Sequence, residues 1–281
     1  MRSDPRPSGY SPFGASAGTR LACLALFLLA SVIASSPADA ARPPNVVFFL
    51  ADDLGWCDTT LYGKTSFYET PNIERLAKGG VRFSQAYAAC HVCSPTRASI
   101  MSGKYPARLH LTDWLSGRRN FSFQKLLNAQ IHQRLPLKEL TLAEALKKHG
   151  YATGHFGKWH LGDSAPYRPH ERGFDESVYH AGGGIGNTGD SWGNDYFDAT
   201  YWHNGQTVKQ KGYCTDVFFD AALRFIDGKS SNGGGDKPFF CYIPTNAAHG
   251  PFLVADKYKN CLLYTSPSPR DATLSRMTSS A

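Results

Sequence analysis

Cys93 opens the stretch of the chain that is richest in possible chemistry. Residues 90–103 read CHVCSPTRASIMSG, so Cys90 and Cys93 are three positions apart and Cys93 begins Cys-Ser-Pro-Thr-Arg. The spacing of the two cysteines is compatible with a metal ligand, half of a disulfide, a buried thiol or a catalytic group. Pro95 suits the first turn of a helix running to Met101. That helix would place Cys93 just before its N-terminus, where free backbone N–H groups attract anions.

Two carboxylates and an arginine add opposite charges. Asp52 and Asp53 directly follow an apolar run, and carboxylate oxygens are the ligands that Ca²⁺ and Mg²⁺ prefer. Taken alone, Asp-Asp-Leu-Gly could equally be a solvated turn. Arg97, one turn into the predicted helix, is a planar cation that could hold an oxyanion or orient the Cys93 side chain.

Two later segments add cations and proton carriers. Lys158 and His160 fall in one tight loop, Gly157-Lys-Trp-His-Leu-Gly162, and His249 follows a late apolar run. Isolated loop histidines are usually solvated or structural, so these assignments depend on all the groups meeting in one place. Together the groups fit displacement at a tetrahedral anion, sulfate or phosphate, where positioning and charge stabilisation supply most of the catalysis. They suit a thiol protease poorly, because the cations would have no task there.

The elements that must position these residues are strands alternating with capped helices. Apolar runs at 45–50, 151–155 and 239–243 predict strands, the first of them buried on both faces. Each run is followed within a few residues by one of the charged groups. Ligands bind beyond the carboxyl ends of parallel strands, so we expect the groups to converge. We therefore predict an α/β domain with a mostly parallel central sheet and helices on both faces.

Helix boundaries are indicated by their termini. Thr70-Pro71 begins one helix and Gly79-Gly80 ends it. Thr141-Leu-Ala-Glu144 is a capping box for a second helix, which ends at His149-Gly150. The remaining expectations are a strand or strand edge over 81–86, loops or small hairpins over 104–136 and 163–212, a helix over 216–227 capped by Thr215, and a surface linker over 228–236.

Two of these segments resemble the type I sulfatases, the formylglycine-dependent, arylsulfatase-like enzymes of the alkaline-phosphatase-type superfamily. Cys93-Ser-Pro-Thr-Arg97, continuing to Gly103, resembles the first signature of that family, and Gly157–Gly162 is similar to the second. The similarity runs from about Asn45 to about Phe252. It implies an alkaline-phosphatase/sulfatase-like α/β fold.

The resemblance implies that Cys93 is a precursor. In that family the formylglycine-generating enzyme oxidises the signature cysteine during export to Cα-formylglycine, an aldehyde that hydrates to a gem-diol. One hydroxyl attacks sulfur and the alcohol leaves; the second loses its proton, expels sulfate and restores the aldehyde. Pro95 and Arg97 belong to the pattern that the modifying enzyme recognises. Cys90 has no place in this pattern, and a buried thiol or a disulfide with an unknown partner both stay open.

By the same resemblance, Asp52, Asp53 and the modified Cys93 would bind the metal, Ca²⁺ with Mg²⁺ as the alternative. Arg97 would hold the formylglycine and the metal ligands.

The substrate side would be formed by three residues. Lys158 would bind the sulfate and His160 would be the base for the diol. His249 would be the general acid, sharing the leaving-group side with Lys158.

The expected activity is hydrolysis of a sulfated small molecule or glycan to inorganic sulfate and an alcohol. A phosphonate or phosphodiester hydrolase that uses the same modified cysteine is the neighbouring alternative. A truncated, inactive anion-binding remnant is the alternative from another class.

The N-terminus predicts export. Arginines precede an apolar run from Leu21 to Ile33, and Ala38-Asp39-Ala40 has the spacing of a signal-peptide cleavage site. Thirteen apolar residues are too few to span a bilayer, so we expect no stable membrane anchor after cleavage. The expected destination is secreted, periplasmic or lysosomal/ER-lumenal, depending on the host.

The composition is that of a globular protein, with 42% hydrophobic and 13% aromatic residues in 281. The net charge of +7 is partly due to basic termini, and no Lys/Arg run exceeds two residues, so we expect no nucleic-acid partner. Five of the seven cysteines lie between the leader and the tail, an odd number for an oxidising compartment, so we expect Cys93 to be unpaired.

The expected organisation is a signal peptide (1–40), the N-terminal part of a sulfatase catalytic domain (41–260) and a non-domain tail (261–281). The family completes its site with an Asp-Asn pair and another Lys further along, which this sequence does not show. After Asn260 the sequence is rich in Ser, Thr and Pro and has no usable period. We expect foreign sequence appended to a truncated domain, with a natural disordered terminus as the alternative.

Overall fold

The computed structural model describes residues 43–63, 67–187, 189–230 and 237–258. The predicted signal peptide, the predicted tail and most of the predicted Gly/Ser linker lie outside the described residues. No helix in the described ranges combines the length and apolar character needed to cross a membrane.

A six-stranded sheet forms the centre of the fold. Its strands are β1 Val46–Leu50, β2 Ala152–Lys158, β3 Glu176–His180, β4 Thr200–His203, β5 Gln206–Lys209 and β6 Phe239–Pro244. The spatial order is β1-β6-β2-β3-β4-β5. The pairs from β1 to β3 are parallel, and β4 and β5 add an antiparallel hairpin at the far edge. The sheet is therefore mostly parallel, as the sequence predicts.

Helices cover both faces of this sheet. They are α1 Pro71–Lys78, α2 Cys93–Ser102, α3 Pro106–Leu109, α4 Leu142–Lys148 and α5 Cys214–Ser230, with 3-10 turns at Trp56–Asp58, Thr60–Tyr62, Pro169–Glu171 and Asp256–Tyr258. On one face α5 packs Phe218 and Phe225 against β2 and β6. On the other face Met101 of α2 shares a core with Trp159 and Tyr242. The prediction of helices on both faces is confirmed.

β2 is buried along its whole length because it lies between β6 and β3. A Cβ atom at Gly157 would overlap the carbonyl oxygen of Pro244, and Gly157 has a φ of 136°. Only glycine suits such a position. The close approach holds the end of β2 against the exit of β6, where the predicted site residues begin.

Three local predictions are wrong. β1 is an edge strand instead of a strand buried on both faces, and its outward side chains Val47 and Phe49 are 53% and 51% exposed. Residues 81–86 form no strand, since Val81 and Phe83 are exposed and have no neighbouring strand to bond. The 163–212 segment contains β3, a strand that pairs in parallel with β2, besides the β4–β5 hairpin.

The helix predictions hold with shifted boundaries. α1 begins at Pro71 and ends before Gly79 as expected, but Thr70 directs its hydroxyl to Thr60 and does not cap the helix. The last predicted helix begins at Cys214, before the expected cap. The 104–136 segment, predicted to be loop-like, includes the short helix α3.

The capping box of α4 is formed as predicted. The Thr141 hydroxyl accepts from the Glu144 N–H at 3.0 Å, and the Glu144 carboxylate accepts from the Thr141 N–H at 2.7 Å. The same hydroxyl donates to the Arg172 carbonyl at 2.8 Å, and Thr141 is buried. The cap therefore also joins α4 to the segment that leads into β3.

We expect Thr141→Ala to lower the free energy of unfolding by about 1–2 kcal/mol, because it removes a helix cap and a buried hydrogen bond together. Urea denaturation followed by circular dichroism measures the change. Thr207→Ala, at an exposed threonine of β5, should change stability by about 0.5 kcal/mol or less. Equal losses in the two variants would contradict a special role for the cap.

Candidate active site

Three adjacent parallel strands deliver the predicted charged residues to one edge of the sheet. Asp52 follows β1, Lys158 is the last residue of β2, and His249 lies five residues after β6, which runs between the other two. The Asp52 N–H donates to the Ala247 carbonyl at 3.0 Å, and the Ala248 N–H donates to the Asp52 carbonyl at 2.8 Å. These two bonds join the exit loops of β1 and β6. The predicted convergence at the carboxyl edge is observed.

A buried ion cluster forms the floor of this site. Asp52 Oδ2 lies 2.5 Å from Lys158 Nζ and 3.5 Å from an Nη of Arg97. All three side chains are less than 10% exposed. Lys158 belongs to β2 and is fully buried, which corrects the prediction that it lies in a loop with His160. Arg97 also donates to the Lys158 carbonyl at 2.8 Å, so it fixes the end of β2.

The charge balance of the cluster keeps Asp52 ionised. Burial raises the pKa of Asp52, but the positive charges of Lys158, Arg97 and His249 outweigh it and lower the pKa to about 2. At Asp53, partial burial and the neighbouring Asp52 charge raise the pKa. The two adjacent carboxylates are therefore electrostatically unequal.

Cys93 is the first residue of α2 and is partly buried. This is one residue further into the helix than predicted. Burial raises the pKa of its thiol, but the influence of the His160 and His249 side chains and the charge of Lys158 outweigh burial and lower the pKa to about 5. The thiolate form is thus favoured, and two histidines from different loops act on the same thiol.

Each of these histidines is held by a backbone carbonyl. His160 donates from Nε2 to the Leu115 carbonyl at 2.9 Å, and His249 donates from Nδ1 to the Gly250 carbonyl at 2.6 Å. His249 Nε2 lies 3.8 Å from Asp53 Oδ2. The hydrogen bond with Cys93 raises the pKa of His249 despite its burial.

Backbone strain is also located at the site. Asp53 and His160 have φ values of 60° and 54°, in the left-handed region that few non-glycine residues occupy. Such conformations persist where the surrounding structure enforces them. Here both residues lie in the segments that follow β1 and β2, where the predicted site residues converge.

The described residues offer hard oxygen ligands for a divalent cation, but too few to complete its coordination. Asp52 and Asp53 offer the carboxylate oxygens that a Ca²⁺ or Mg²⁺ ion prefers. Ca²⁺ takes six to eight oxygen ligands, and the described part of the chain has no group of three or more His, Cys, Asp or Glu side chains that could hold a metal. The two carboxylates therefore fit such an ion in chemistry and supply part of its coordination.

All five cysteines in the described residues are free thiols: Cys57, Cys90, Cys93, Cys214 and Cys241. Cys93 is unpaired as predicted. For Cys90, the disulfide alternative is not realised, and its sulfur lies 3.9 Å from Nδ1 of His91.

Sequence reasoning missed several buried residues that lie next to the predicted site residues. The Ser94 hydroxyl accepts from the Leu115 N–H at 3.1 Å, and Asn246 donates to the Tyr196 hydroxyl at 2.9 Å beneath the β6 exit loop. His180, the register partner of Lys158, is fully buried, and neither of its ring nitrogens has a hydrogen-bond partner in the described part of the chain. No spacing in the sequence marks them, because each contact joins segments at least twenty residues apart.

The fold is that of an α/β protein whose mostly parallel sheet gathers buried charges, two histidines and a cysteine at its carboxyl edge. Residues 44–262 match the family model "Sulfatase". The chain belongs to the sulfatase family, the type I sulfatases of the alkaline-phosphatase superfamily.

Curated relatives agree with this assignment. The chain is 32% identical to N-acetylgalactosamine-6-sulfatase of Canis lupus familiaris over 255 residues, covering 87% of this chain and 46% of the relative. It is 40% identical to arylsulfatase A of Bos taurus over 152 residues, 53% of this chain and 27% of the relative. It thus spans less than half the length of these relatives.

Solved structures share the fold. Ps i-CgsB in complex with k-i-k-neocarrahexaose aligns with a TM-score of 0.66 and 28% identity, over 81% of this chain and 50% of that one. A protein solved with D-glucosamine-2-N,6-O-disulfate, described there as its substrate, aligns with a TM-score of 0.60 and 28% identity over 81% of this chain and 39% of that one.

We expect Cys93, where it is unmodified, to be alkylated by iodoacetamide with a midpoint near pH 5 in the presence of a chelator, because the thiolate is the reacting form. Rates should fall about tenfold per unit below that midpoint and level off above it. Buried Cys214 and Cys241, whose pKa values are raised to about 12, should stay unreacted in the folded protein.

Mass spectrometry of the alkylated peptides gives the pH profile of each cysteine. His249→Ala should shift the Cys93 midpoint upward, because it removes a hydrogen bond that lowers the pKa. A midpoint near the ordinary thiol value of about 8.5 in the parent protein would contradict the geometry described.

Proposed function

We propose that the protein hydrolyses sulfate esters with a formylglycine made from Cys93, releasing inorganic sulfate and an alcohol. The observation that carries the proposal is that the convertible cysteine of Cys-Ser-Pro-Thr-Arg lies in one cluster with His160, His249 and the charge of Lys158. When hydrated, the formylglycine would supply the attacking hydroxyl. The remaining chemistry is binding, orientation and proton movement by this chain's own side chains.

Lys158 would neutralise a sulfate oxygen. Its ammonium is fully buried and already compensated by Asp52 at 2.5 Å. A preorganised charge in a site shielded from water acts strongly on charge that develops during the reaction.

His160 and His249 are suited to proton transfer at two different points of the reaction, the attack on sulfur and the departure of the alcohol. Both lower the pKa of the Cys93 thiol, and they belong to the exit loops of β2 and β6. We assign His160 as the base that takes a proton from the attacking group. His249, whose raised pKa favours the protonated form, would act as the acid that protonates the leaving alcohol.

Arg97 would serve as a structural cation. It is 2% exposed and bonds the Lys158 carbonyl and Asp52, so it fixes the end of β2 and the ion cluster. Through this contact it would hold the reacting residue and the metal ligands in register.

Asp52 and Asp53, with the modified Cys93, would hold a divalent cation, which we propose to be Ca²⁺. When bound, the ion would orient the sulfate and withdraw electron density from it. The carboxylate oxygens support this assignment, and partly exposed Asp53, whose side chain is 47% exposed, offers the accessible ligand.

For the substrate we propose a sulfated glycan or a related sulfated small molecule. The support comes from relatives: two solved structures of this fold carry a carrageenan-type oligosaccharide or a sulfated glucosamine. Maturation would require the formylglycine-generating enzyme during export, which the N-terminal sequence predicts. The non-catalytic alternative has no use for a convertible cysteine placed between two histidines.

We expect Cys93→Ala to abolish hydrolysis of an aryl sulfate, a loss of about 10⁴-fold or more, because the nucleophile precursor is removed. The parent protein, co-expressed with the modifying enzyme, should show a Cys93 peptide that has lost its sulfur. Turnover of 4-nitrophenyl sulfate and 4-nitrophenyl phosphate, each divided by the converted fraction, gives the comparison. Cys57→Ala, at another partly buried free thiol, should retain parental activity.

Activity in Cys93→Ala would contradict the formylglycine assignment. A parent protein that turned over the phosphate and left the sulfate untouched would support the phosphoester hydrolase instead. A converted protein that binds sulfate without turning it over would support the anion-binding alternative.

We expect Ca²⁺ to raise the free energy of unfolding by about 2.7 kcal/mol at a hundred times its Kd, and Asp53→Asn to remove this increase. Asp53 is partly exposed, so its variant should remain folded, whereas Asp52→Asn would leave two buried cations uncompensated. Thermal unfolding with and without Ca²⁺ measures the effect. Asp220→Asn, on the exposed side of α5, is the control and should keep the full stabilisation by Ca²⁺. If Asp53→Asn also kept the full stabilisation, the assignment of Asp53 as a metal ligand would be wrong.

A further inference from the structure

We propose that Ser94, the second residue of the signature, is a positioning residue that sets the tautomer and orientation of His160 through the backbone of Leu115. The Leu115 N–H donates to Ser94 Oγ at 3.1 Å, and His160 Nε2 lies 2.9 Å from the Leu115 carbonyl oxygen. Ser94 is fully buried. The inference rests on the proposed function in one respect, the role of His160 as the base.

The chemistry of the two bonds fixes their directions. A backbone N–H can only donate, so Ser94 Oγ is the acceptor; a carbonyl can only accept, so His160 Nε2 must carry a proton. A neutral imidazole has one N–H, which leaves Nδ1 with its lone pair. Nδ1 is buried and has no hydrogen-bond partner among the described residues. It is therefore the nitrogen available to receive a proton.

The Leu115 carbonyl needs an anchor because it lies in a loop without regular structure. Arg118 tightens this loop locally, with an ion pair to Asp113 at 3.1 Å and a stack over the Trp114 ring at 4.9 Å. Both contacts lie within the loop and do not attach it to α2. The Ser94 hydroxyl is what joins the Leu115 amide to α2.

This arrangement couples the reacting residue to its base through adjacent positions. Cys93 is the first residue of α2 and Ser94 is the second. A shift of the helix would move the reacting group and the anchor of Leu115 together. His160 is thus connected to the residue next to Cys93 through two hydrogen bonds and the backbone of Leu115.

Gly183 confines the imidazole from another side. A Cβ atom at Gly183 would lie 2.9 Å from Cε1 of His160, closer than real Cβ atoms approach, and 3.1 Å from Nε2, tighter than most Cβ contacts. The glycine backbone therefore lies directly against the ring edge that bears Nε2. With the Leu115 carbonyl, it leaves the ring little freedom to rotate away.

The first test locates the proton on His160 without requiring turnover. The chain is labelled with ¹⁵N-histidine and studied with a chelator at a pH about two units above the ordinary histidine pKa. Long-range ¹H–¹⁵N spectra then distinguish a ring nitrogen that carries a proton from one that does not. His160→Gln assigns the signals. We expect the parent to be predominantly Nε2-protonated and Ser94→Ala to lower the tautomer ratio about 5-fold, the equivalent of one hydrogen bond.

Three variants make this test specific. Ser94→Thr keeps an acceptor oxygen and should restore the parental ratio. Ser94→Cys keeps nearly the same shape with a weak acceptor, and should resemble Ser94→Ala even if the alanine variant folds poorly. Ser99→Ala removes a buried hydroxyl of the same helix that has no hydrogen-bond partner within the described ranges, and should leave His160 unchanged. An unchanged ratio in both Ser94→Ala and Ser94→Cys would overturn the proposal.

The second test measures turnover per converted site. Ser94 lies inside the segment that the modifying enzyme recognises, so the converted fraction of each variant is first determined by mass spectrometry. We then expect kcat of Ser94→Ala to fall about 5- to 100-fold with KM within about twofold, because the base is displaced while sulfate binding is kept. A kcat per converted site equal to that of Ser99→Ala would overturn the positioning role. If the parent itself does not turn over, the proposed function fails, and the spectra alone decide whether Ser94 positions His160.

Discussion

The site depends on one buried carboxylate that compensates two buried cations. Asp52 is ion-paired with both Lys158 and Arg97, and all three side chains are almost inaccessible to solvent. Removing one partner of such a cluster leaves an uncompensated buried charge, at a cost of about 3–5 kcal/mol. The cluster therefore joins the stability of the sheet edge to its function. The same charges that hold β1, β2 and α2 together create the field in which an anion would bind.

The strand order explains why residues so distant in sequence share this field. β6 lies between β1 and β2, so the exits of the three strands are next to each other although β1 ends at Leu50, β2 at Lys158 and β6 at Pro244. Parallel strands present their carboxyl ends on one side. The loop that follows each strand then supplies a different chemical group. α2 adds its N-terminus, and with it Cys93, from the face opposite α5.

The sequence predicts this architecture where local and long-range signals coincide. The apolar runs of β1, β2 and β6 and the capping box of α4 each carry a local signature, and the structure confirms them. β3 was missed because Glu176–His180 has mixed polarity and is flanked by glycine-rich sequence. Its burial results from pairing with β2, which the local sequence does not indicate. Residues 81–86 have the alternation of a strand without a partner to bond. The contact between Ser94 and Leu115 could not be predicted, since its geometry exists only once α2 and the 110–120 loop are packed.

β1 has a consequence for how the molecule behaves in solution. No strand in the described residues occupies its outer side, where backbone N–H and C=O groups point outward beside the exposed side chains of Val47 and Phe49. An open parallel edge with apolar side chains is a template for strand addition. Whatever segment lies along it, whether from the same chain or another, shields those groups from self-association. A change in β1 would therefore affect both this open edge and the position of Asp52.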